Sequence, residues 1–233
     1  MESPIEPHTN RAGETLTTGD PAHLGTDEAG KGDYFGPLVI AAVWADRAAI
    51  AAFQAWGVAD SKKISDGRAH TLARQITQSG IPTAVVAVGP ERYNQLYAKM
   101  KNLNRLLAWG HARAIENLLD KTHAERVVID QFAATHVIEN ALLEKGRQIQ
   151  VEQRHRGESD PVVAAASVIA RSEFLRRLGQ LSDSIGVKLP KGAGAPVDAV
   201  AARLLSKGGA ELLATVAKMH FKNTQKAERL RST

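Results

Sequence analysis

Gly25-Thr26-Asp27-Glu28-Ala29-Gly30-Lys31-Gly32-Asp33-Tyr34-Phe35-Gly36-Pro37 is the stretch on which the reading of this chain turns. Two adjacent acids close a β-rich segment, Leu24 to Asp27, and meet a turn holding three glycines. Glycine permits positive φ and carries no side chain to block a ligand. The backbone N–H groups of Gly30-Lys31-Gly32 could therefore hydrogen-bond a sugar or phosphate beside two carboxylates. The spacing is neither a Walker P-loop nor a dinucleotide fingerprint. Side chains alternate across a strand, so Asp27 and Glu28 can both hold a cation only where the strand is ending. The glycine turn supplies the expected break. The plainer alternative is an ordinary turn with solvated acids.

Further along, Val127-Val128-Ile129-Asp130 delivers a carboxylate from the end of a hydrophobic strand, where open α/β sheets place their ligands. A third acidic element, Gly157-Glu158-Ser159-Asp160-Pro161, precedes a strong helical pattern from Val162 to Leu181. Pro161 suits the first helical position and Asp160 is a preferred N-cap. Glu158, farther out on a longer side chain, is thus the better ligand, with Asp160 as its rival. Clustered carboxylates repel unless cations neutralise them, and hard oxygen donors suit Mg²⁺ or Mn²⁺. In a basic protein, such a cluster implies phosphate chemistry by two ions.

The surroundings read as one α/β chain. Strands are expected at Leu38 to Trp44, Ile81 to Val88, Arg126 to Asp130 and, at an edge, Gln148 to Gln153. Helical patterns occupy Arg47 to Trp56, Asp66 to Gln78, Glu91 to Lys99, Asn102 to Leu119, Thr135 to Lys145, Val197 to Leu205 and Ala210 to His220. Residues 1–22 lack periodicity and read as a disordered tail, leaving 23–233 as the catalytic domain. The chain has 233 residues, no cysteine and a formal charge of +5. Thiolate metal sites and disulfides are excluded, and a soluble, cytoplasmic, monomeric protein without membrane or obligate protein partner is expected. The first 22 residues are net acidic (Glu2, Glu6, Glu14 and Asp20 against Arg11), so the remainder is more basic still, which suits a polyanion. Seven Lys or Arg against two Glu from Arg203 to Thr233 read either as a solvated helix and tail or as a phosphate-backbone clamp. No histidine pair has HExxH spacing, so His111, His123, His136, His155 and His220 are expected to be structural or surface residues.

These residues resemble the type 2 ribonucleases H, and most closely ribonuclease HIII. The resemblance rests on GTDEAGKGDYFGPLVIAAV (Gly25 to Val43), DSKKISD (Asp60 to Asp66), ERYNQLY (Glu91 to Tyr97) and NLNRLLAWGHARAIENLL (Asn102 to Leu119). It continues through VIDQFA (Val128 to Ala133), AAASVIAR (Ala164 to Arg171) and LPKGAG (Leu189 to Gly194). It implies a ribonuclease H-like fold, a mixed central sheet flanked by helices with a C-terminal helical portion. It also implies an endonuclease that cuts the RNA strand of RNA/DNA hybrids with Mg²⁺ or Mn²⁺, leaving 5′-phosphate and 3′-hydroxyl ends. Asp27, Glu28, Asp130 and Glu158 occupy the places of the metal-holding catalytic acids. Glu at the fourth place agrees with ribonuclease HIII, where ribonuclease HII has Asp one residue farther from the helical proline.

By the same resemblance, Gly30, Lys31 and Gly32 read the ribose 2′-hydroxyl. Lys62 and Lys63 contact phosphates, and Ser167 and Arg171 face the site as further substrate-binding candidates. Two departures stand out. Ribonuclease HIII proteins usually carry an N-terminal substrate-binding domain, whereas only a short tail precedes the motifs here; binding is expected through the catalytic domain, with or without its basic C-terminal segment, or else to be weak. The tyrosine with which ribonuclease HII senses an RNA–DNA junction has no counterpart, because Tyr34, Tyr93 and Tyr97 all lie in the first half. Cleavage within ribonucleotide runs is expected, with poor cleavage at a single embedded ribonucleotide. The competing readings are ribonuclease HII-like incision at isolated ribonucleotides and a non-catalytic hybrid-binding protein.

Overall fold

Leu38-Val39-Ile40-Ala41-Ala42-Val43-Trp44-Ala45 is apolar on both faces, the mark of an internal strand, and it forms β2 (Leu38–Ala45). The computed structural model describes residues 22–58, 64–132, 135–142, 146–155 and 157–231. Residues 1–21 of the expected N-terminal tail, Lys62 and Lys63 lie outside the described residues, as does the side chain of Glu158. Antiparallel to β2 runs β1 (His23–Ala29), with Asp27 opposite Ala41 and Glu28 opposite Ile40. β3 (Thr83–Val88) flanks β2 on its other side, also antiparallel. β4 (Arg126–Asp130) pairs parallel with β1, and β5 (Gln150–Arg154) parallel with β4. Among the described residues this makes a mixed five-stranded sheet of order β3-β2-β1-β4-β5, so the α/β class read from the sequence holds.

Helices cover both faces. One face packs against α1 (Arg47–Ala55), α2 (Asp66–Gln78) and the long α6 (Pro161–Ile185), burying Val39, Ala41 and Val43 against Val162, Ala165 and Val168. The other packs against α3 (Pro90–Met100), α4 (Leu103–Leu119) and α5 (Thr135–Glu139), burying Leu24, Ile40 and Ala42 against Leu106, Leu107 and Ile115. Gly25 brings α6 onto β1, since a Cβ there would lie 2.5 Å from the Val162 carbonyl carbon. The start of α6 is thereby held against the strand that carries Asp27 and Glu28.

Four elements differ from their sequence expectation, the first being α5, which stops at Glu139 where a helix running on toward Lys145 is expected. β1 runs past Asp27 to Ala29 because Val39 and Ile40 of β2 keep pairing with it. The two expected C-terminal helices form one run, α7 (Ala195–Val216), broken at Gly208-Gly209, where Gly209 takes φ 67. That run stops before His220, since Ala217 leaves it to bridge Phe35. Finally, α8 (Lys222–Arg231) forms where apolar periodicity has faded, docked by buried Asn223 and Ala227. Among the described residues no helix is long and apolar enough to cross a membrane.

Candidate functional site

Thr26 pairs with Ile129 across the parallel strands β1 and β4, so the next residue on each, Asp27 and Asp130, stands at the same level of the sheet. Strand alternation persists through the acids. Asp27 turns toward α6, where it hydrogen-bonds Ser167, while Glu28 turns toward α4. Both nevertheless line one cleft of about 530 Å³, together with Gly30, Lys31, Gly32, Asp33, Asp130, Ser167, Arg171 and Lys191. The sheet does not have to end for the pair to share a site, because the cleft opens across the strand's edge.

Each acid has its own environment. Burial pushes the Asp27 carboxyl up to about 7, and the charges of Glu28 and Asp130 push in the same direction. Its Oδ1 accepts from the Glu28 backbone N–H at 2.8 Å. Burial would also raise Glu28, but hydrogen bonding and charge from His111, then from Lys31, outweigh it and hold Glu28 below the usual carboxylate range. His111 is fully buried on α4 with Nε2 3.2 Å from Glu28 Oε2, while Thr26 Oγ1 lies 2.9 Å from its Nδ1. A carboxylate only accepts, so Nε2 carries the proton. Phe132 stacks on the imidazole at 5.0 Å and Lys31 Nζ lies 3.3 Å from Glu28 Oε1.

Asp130 Oδ1 accepts from Gly157 N–H at 2.9 Å. Gly157 is tight against it, since a Cβ there would come within 2.7 Å of the Asp130 Cα. The short 3-10 turn Gly157–Ser159 therefore brings the Glu158 backbone beside Asp130. Asp160 is occupied elsewhere. It is buried, caps α6 through Val162 N and Val163 N, and lies 3.1 Å from His23 Nε2 and 3.6 Å from Arg154 Nη1. Burial would raise its pKa, but His23 and then the amides of Val162 and Val163 outweigh it and hold the carboxyl below the usual range.

The glycine turn is closed by Asp33 N–H to Gly30 O at 3.3 Å, and Gly30 (φ 85) leaves no room for a side chain beside the Pro37 carbonyl. Gly32 is different: nothing lies within 4 Å of where its Cβ would be. That side of the backbone is open to a ligand. Facing it, Arg171 on α6 and Lys191 both bond Asp66, at 2.6 and 2.7 Å. Lys191, Asp66 and the buried partner His111 escaped sequence reasoning. The first lies inside the LPKGAG segment, but its pairing with Asp66 spans 125 positions and leaves no local signal.

Among the described residues no three acid or histidine side chains are already drawn together as a metal cage. The donor set still fits a hard divalent cation. Asp27 and Asp130 are oxygen donors on neighbouring strands, and a cation held by them would offset the burial that chiefly raises Asp27 and the lesser repulsion from Glu28 and Asp130.

The sequence profile of a family described as ribonuclease HII matches residues 24–224. The ribonuclease HIII of Protochlamydia amoebophila is 44% identical over 200 residues, covering 86% of this chain and 66% of that protein. That of Chlamydia pneumoniae is 46% identical over 202 residues, covering 85% and 67%. The chain thus spans about two thirds of the length of these relatives. In three dimensions it is similar to a crystal structure of Bst-RNase HIII in complex with Mn²⁺, with a TM-score of 0.85 and 36% identity over 96% of this chain and 76% of the other.

Proposed function

The chain belongs to the ribonuclease HII family, with ribonuclease HIII proteins among its relatives, and from that premise we propose that it is an endoribonuclease acting on the RNA strand of RNA/DNA hybrids. The observation that carries this reading is one cleft in which Asp27 and Asp130, on parallel-paired strands, stand beside a glycine turn with its Gly32 face open. Acids alone are compatible with many phosphodiesterases. An adjacent backbone able to approach a 2′-hydroxyl is what selects the RNA strand.

Asp27, Glu28, Asp130 and Glu158 are assigned to hold two Mg²⁺ or Mn²⁺ ions. When bound, such ions supply water activation and charge neutralisation for in-line displacement that leaves 5′-phosphate and 3′-hydroxyl ends. The protein's own part is positional. His111 Nε2–H fixes the Glu28 carboxylate from behind, and Ser167 and the Glu28 amide fix that of Asp27. Asp160 is spent on the cap of α6, which supports Glu158 as the fourth ligand. Gly30, Lys31 and Gly32 take the sugar and its phosphate. Arg171, Lys191 and the pair Lys62 and Lys63 take flanking phosphates.

Ribonucleotide tracts are the preferred substrate, since the sequence places no tyrosine in Leu189 to Pro196 to sense a junction. The test compares two duplexes with Mg²⁺ and with Mn²⁺, one holding an RNA tract and one a single ribonucleotide in DNA. Cleavage of the first with 5′-phosphate products is expected. Equal incision of the second would replace tract preference with ribonuclease HII-like incision, and cleavage of neither with any divalent ion would leave only hybrid binding.

A further inference from the structure

Lys218, between α7 and α8, is fully buried and makes no ion pair among the described residues. Its Nζ donates to two backbone carbonyls, Asp33 O at 2.8 Å and Gly36 O at 2.7 Å, and sits 5.6 Å from the centre of the Tyr93 ring. Burying an ammonium is costly unless its donors are satisfied. Burial here pulls the group down to about 7, with the nearby Asp33 acting in the opposite direction. A methionine could fill similar space without that cost. What only a multi-donor head can do is tie together carbonyls three residues apart in the loop that follows the glycine turn.

The surrounding contacts point to the same loop. Lys218 N donates to Tyr34 O and Gly36 N to Val216 O, both at 2.9 Å, around the Phe35–Ala217 bridge. Asp33 Oδ1 accepts from Gly192 N at 2.6 Å while Tyr34 N donates to Gly192 O. The Asp33 peptide is therefore gripped on both sides: its carbonyl by Lys218 and its N–H by Gly30 O, across the turn. Gly30 and Gly36 both hold φ 85, a conformation open to glycine, and the contacts between them fix one arrangement of a loop whose ends are intrinsically free to turn.

We propose that Lys218 is a positioning residue for the Gly30-Lys31-Gly32 turn, fixing from beneath the backbone amides that distinguish ribose from deoxyribose. The inference rests on the sugar-reading role assigned to that turn above. It predicts a loss of sugar discrimination larger than any loss of general duplex affinity, because Arg171 and Lys191, assigned to flanking phosphates, stand on other elements and only Lys31 belongs to the turn.

The experiment uses the full chain carrying Asp27→Asn, which removes turnover, and measures binding with Mg²⁺ to an RNA/DNA hybrid and to a DNA/DNA duplex of one sequence. The ratio of the two affinities is the readout. Adding Lys218→Met should lower the hybrid preference about tenfold or more, in line with the effect of small misplacements remote from a site, and change DNA/DNA affinity less than hybrid affinity. Lys218→Arg, which keeps charged donors, should restore part of the preference. If Lys218→Met does not fold by circular dichroism, Lys218→Gln is read in its place, and a preference equal to that of the parent overturns the inference. Equal loss of both affinities in a folded Lys218→Met protein also overturns it. A parent with no hybrid preference refutes the sugar-reading turn and this inference with it, whereas a parental preference that survives Lys218→Met refutes the role of Lys218 alone.

Discussion

Asp27, Glu28 and Asp130 stand on two adjacent, parallel-paired strands, and each is held by an inward neighbour: Ser167, His111 and the Gly157 amide. Across the cleft, Arg171 and Lys191 come from a helix and from the segment between α6 and α7, and both bond Asp66, whose side chain is 42% exposed. The difference is one of dielectric. Charges at the acid end interact more strongly because the carboxylates are set deeper in the protein, so small displacements there change proton and cation affinity steeply. Ion pairs on the basic wall are open to solvent and salt, and each is weak by itself. The acid end is thus suited to chemistry and the basic wall to adjustable grip.

The largest effect that this contrast predicts is at Asp27. Asp27→Asn should lower hybrid cleavage by on the order of 10³-fold or more, since on the proposed assignment several kcal/mol of transition-state stabilisation depend on ions held by this carboxylate. Thermal unfolding should show intact folding, and retained turnover would refute the assignment. The same substitution also tests burial. The Asp27 carboxyl is raised from 3.8 to about 7 in the folded chain, so between those values the folded state binds more protons than the unfolded state. Stability from this group is complete below pH 3.8 and is lost as pH rises through 7. In metal-free protein, melting temperature should therefore decline from pH 4.5 to 7 more steeply in the wild type than in Asp27→Asn. Parallel profiles would show that the acid end is wetter than its geometry implies.

His111 comes next in size. It is fully buried behind Glu28, and if Glu28 is a metal ligand as proposed, a partner of this kind typically contributes about 10- to 100-fold in metal affinity. His111→Ala should weaken Mn²⁺ binding, measured by calorimetry without substrate, by about that amount, while His111→Asn should recover part of it through its amide donor. Unchanged Mn²⁺ affinity in a folded His111→Ala protein would make the histidine a core-packing residue only.

How much of this was legible in the sequence follows the same divide. The strand-borne acids were readable because Val127-Val128-Ile129-Asp130 and the Asp27-Glu28-glycine stretch carry their context locally. The continuation of β1 to Ala29 was not, because it depends on register with Val39 and Ile40. His111 looked like any helical histidine, and only the fold shows that α4 delivers it to Thr26 and Glu28. Asp66 and Lys191 gave no signal, since long-range charge pairing has no period. The weakly patterned α8 exists by docking Asn223 against Asp198 and Ala193 O, contacts that periodicity does not encode.

The smaller effects belong to the basic wall. Lys191→Ala should weaken duplex binding uniformly across sequences and reduce the slope of log affinity against log salt by about 1, as expected for one lost phosphate contact. An unchanged slope would place Lys191 outside the substrate path and narrow the grip to Arg171 and Lys31.

Asp66 gives the smallest and most discriminating change. Its carboxylate is held below the usual range, first by the hydrogen bond from Lys191 and also by Arg171, so it is ionised across the working pH range. An anion bridging two cations that face the cleft occupies the place a phosphate would take. If it competes, Asp66→Asn should strengthen hybrid binding a few-fold at low salt, about the effect of one exposed ion pair, with the gain fading as salt screens both contacts. If it instead orients the two cations, the same substitution should weaken binding at every salt concentration. Fluorescence anisotropy across a salt series separates the two. A loss of affinity would mean that the basic wall is preorganised after all, erasing much of its contrast with the acid end.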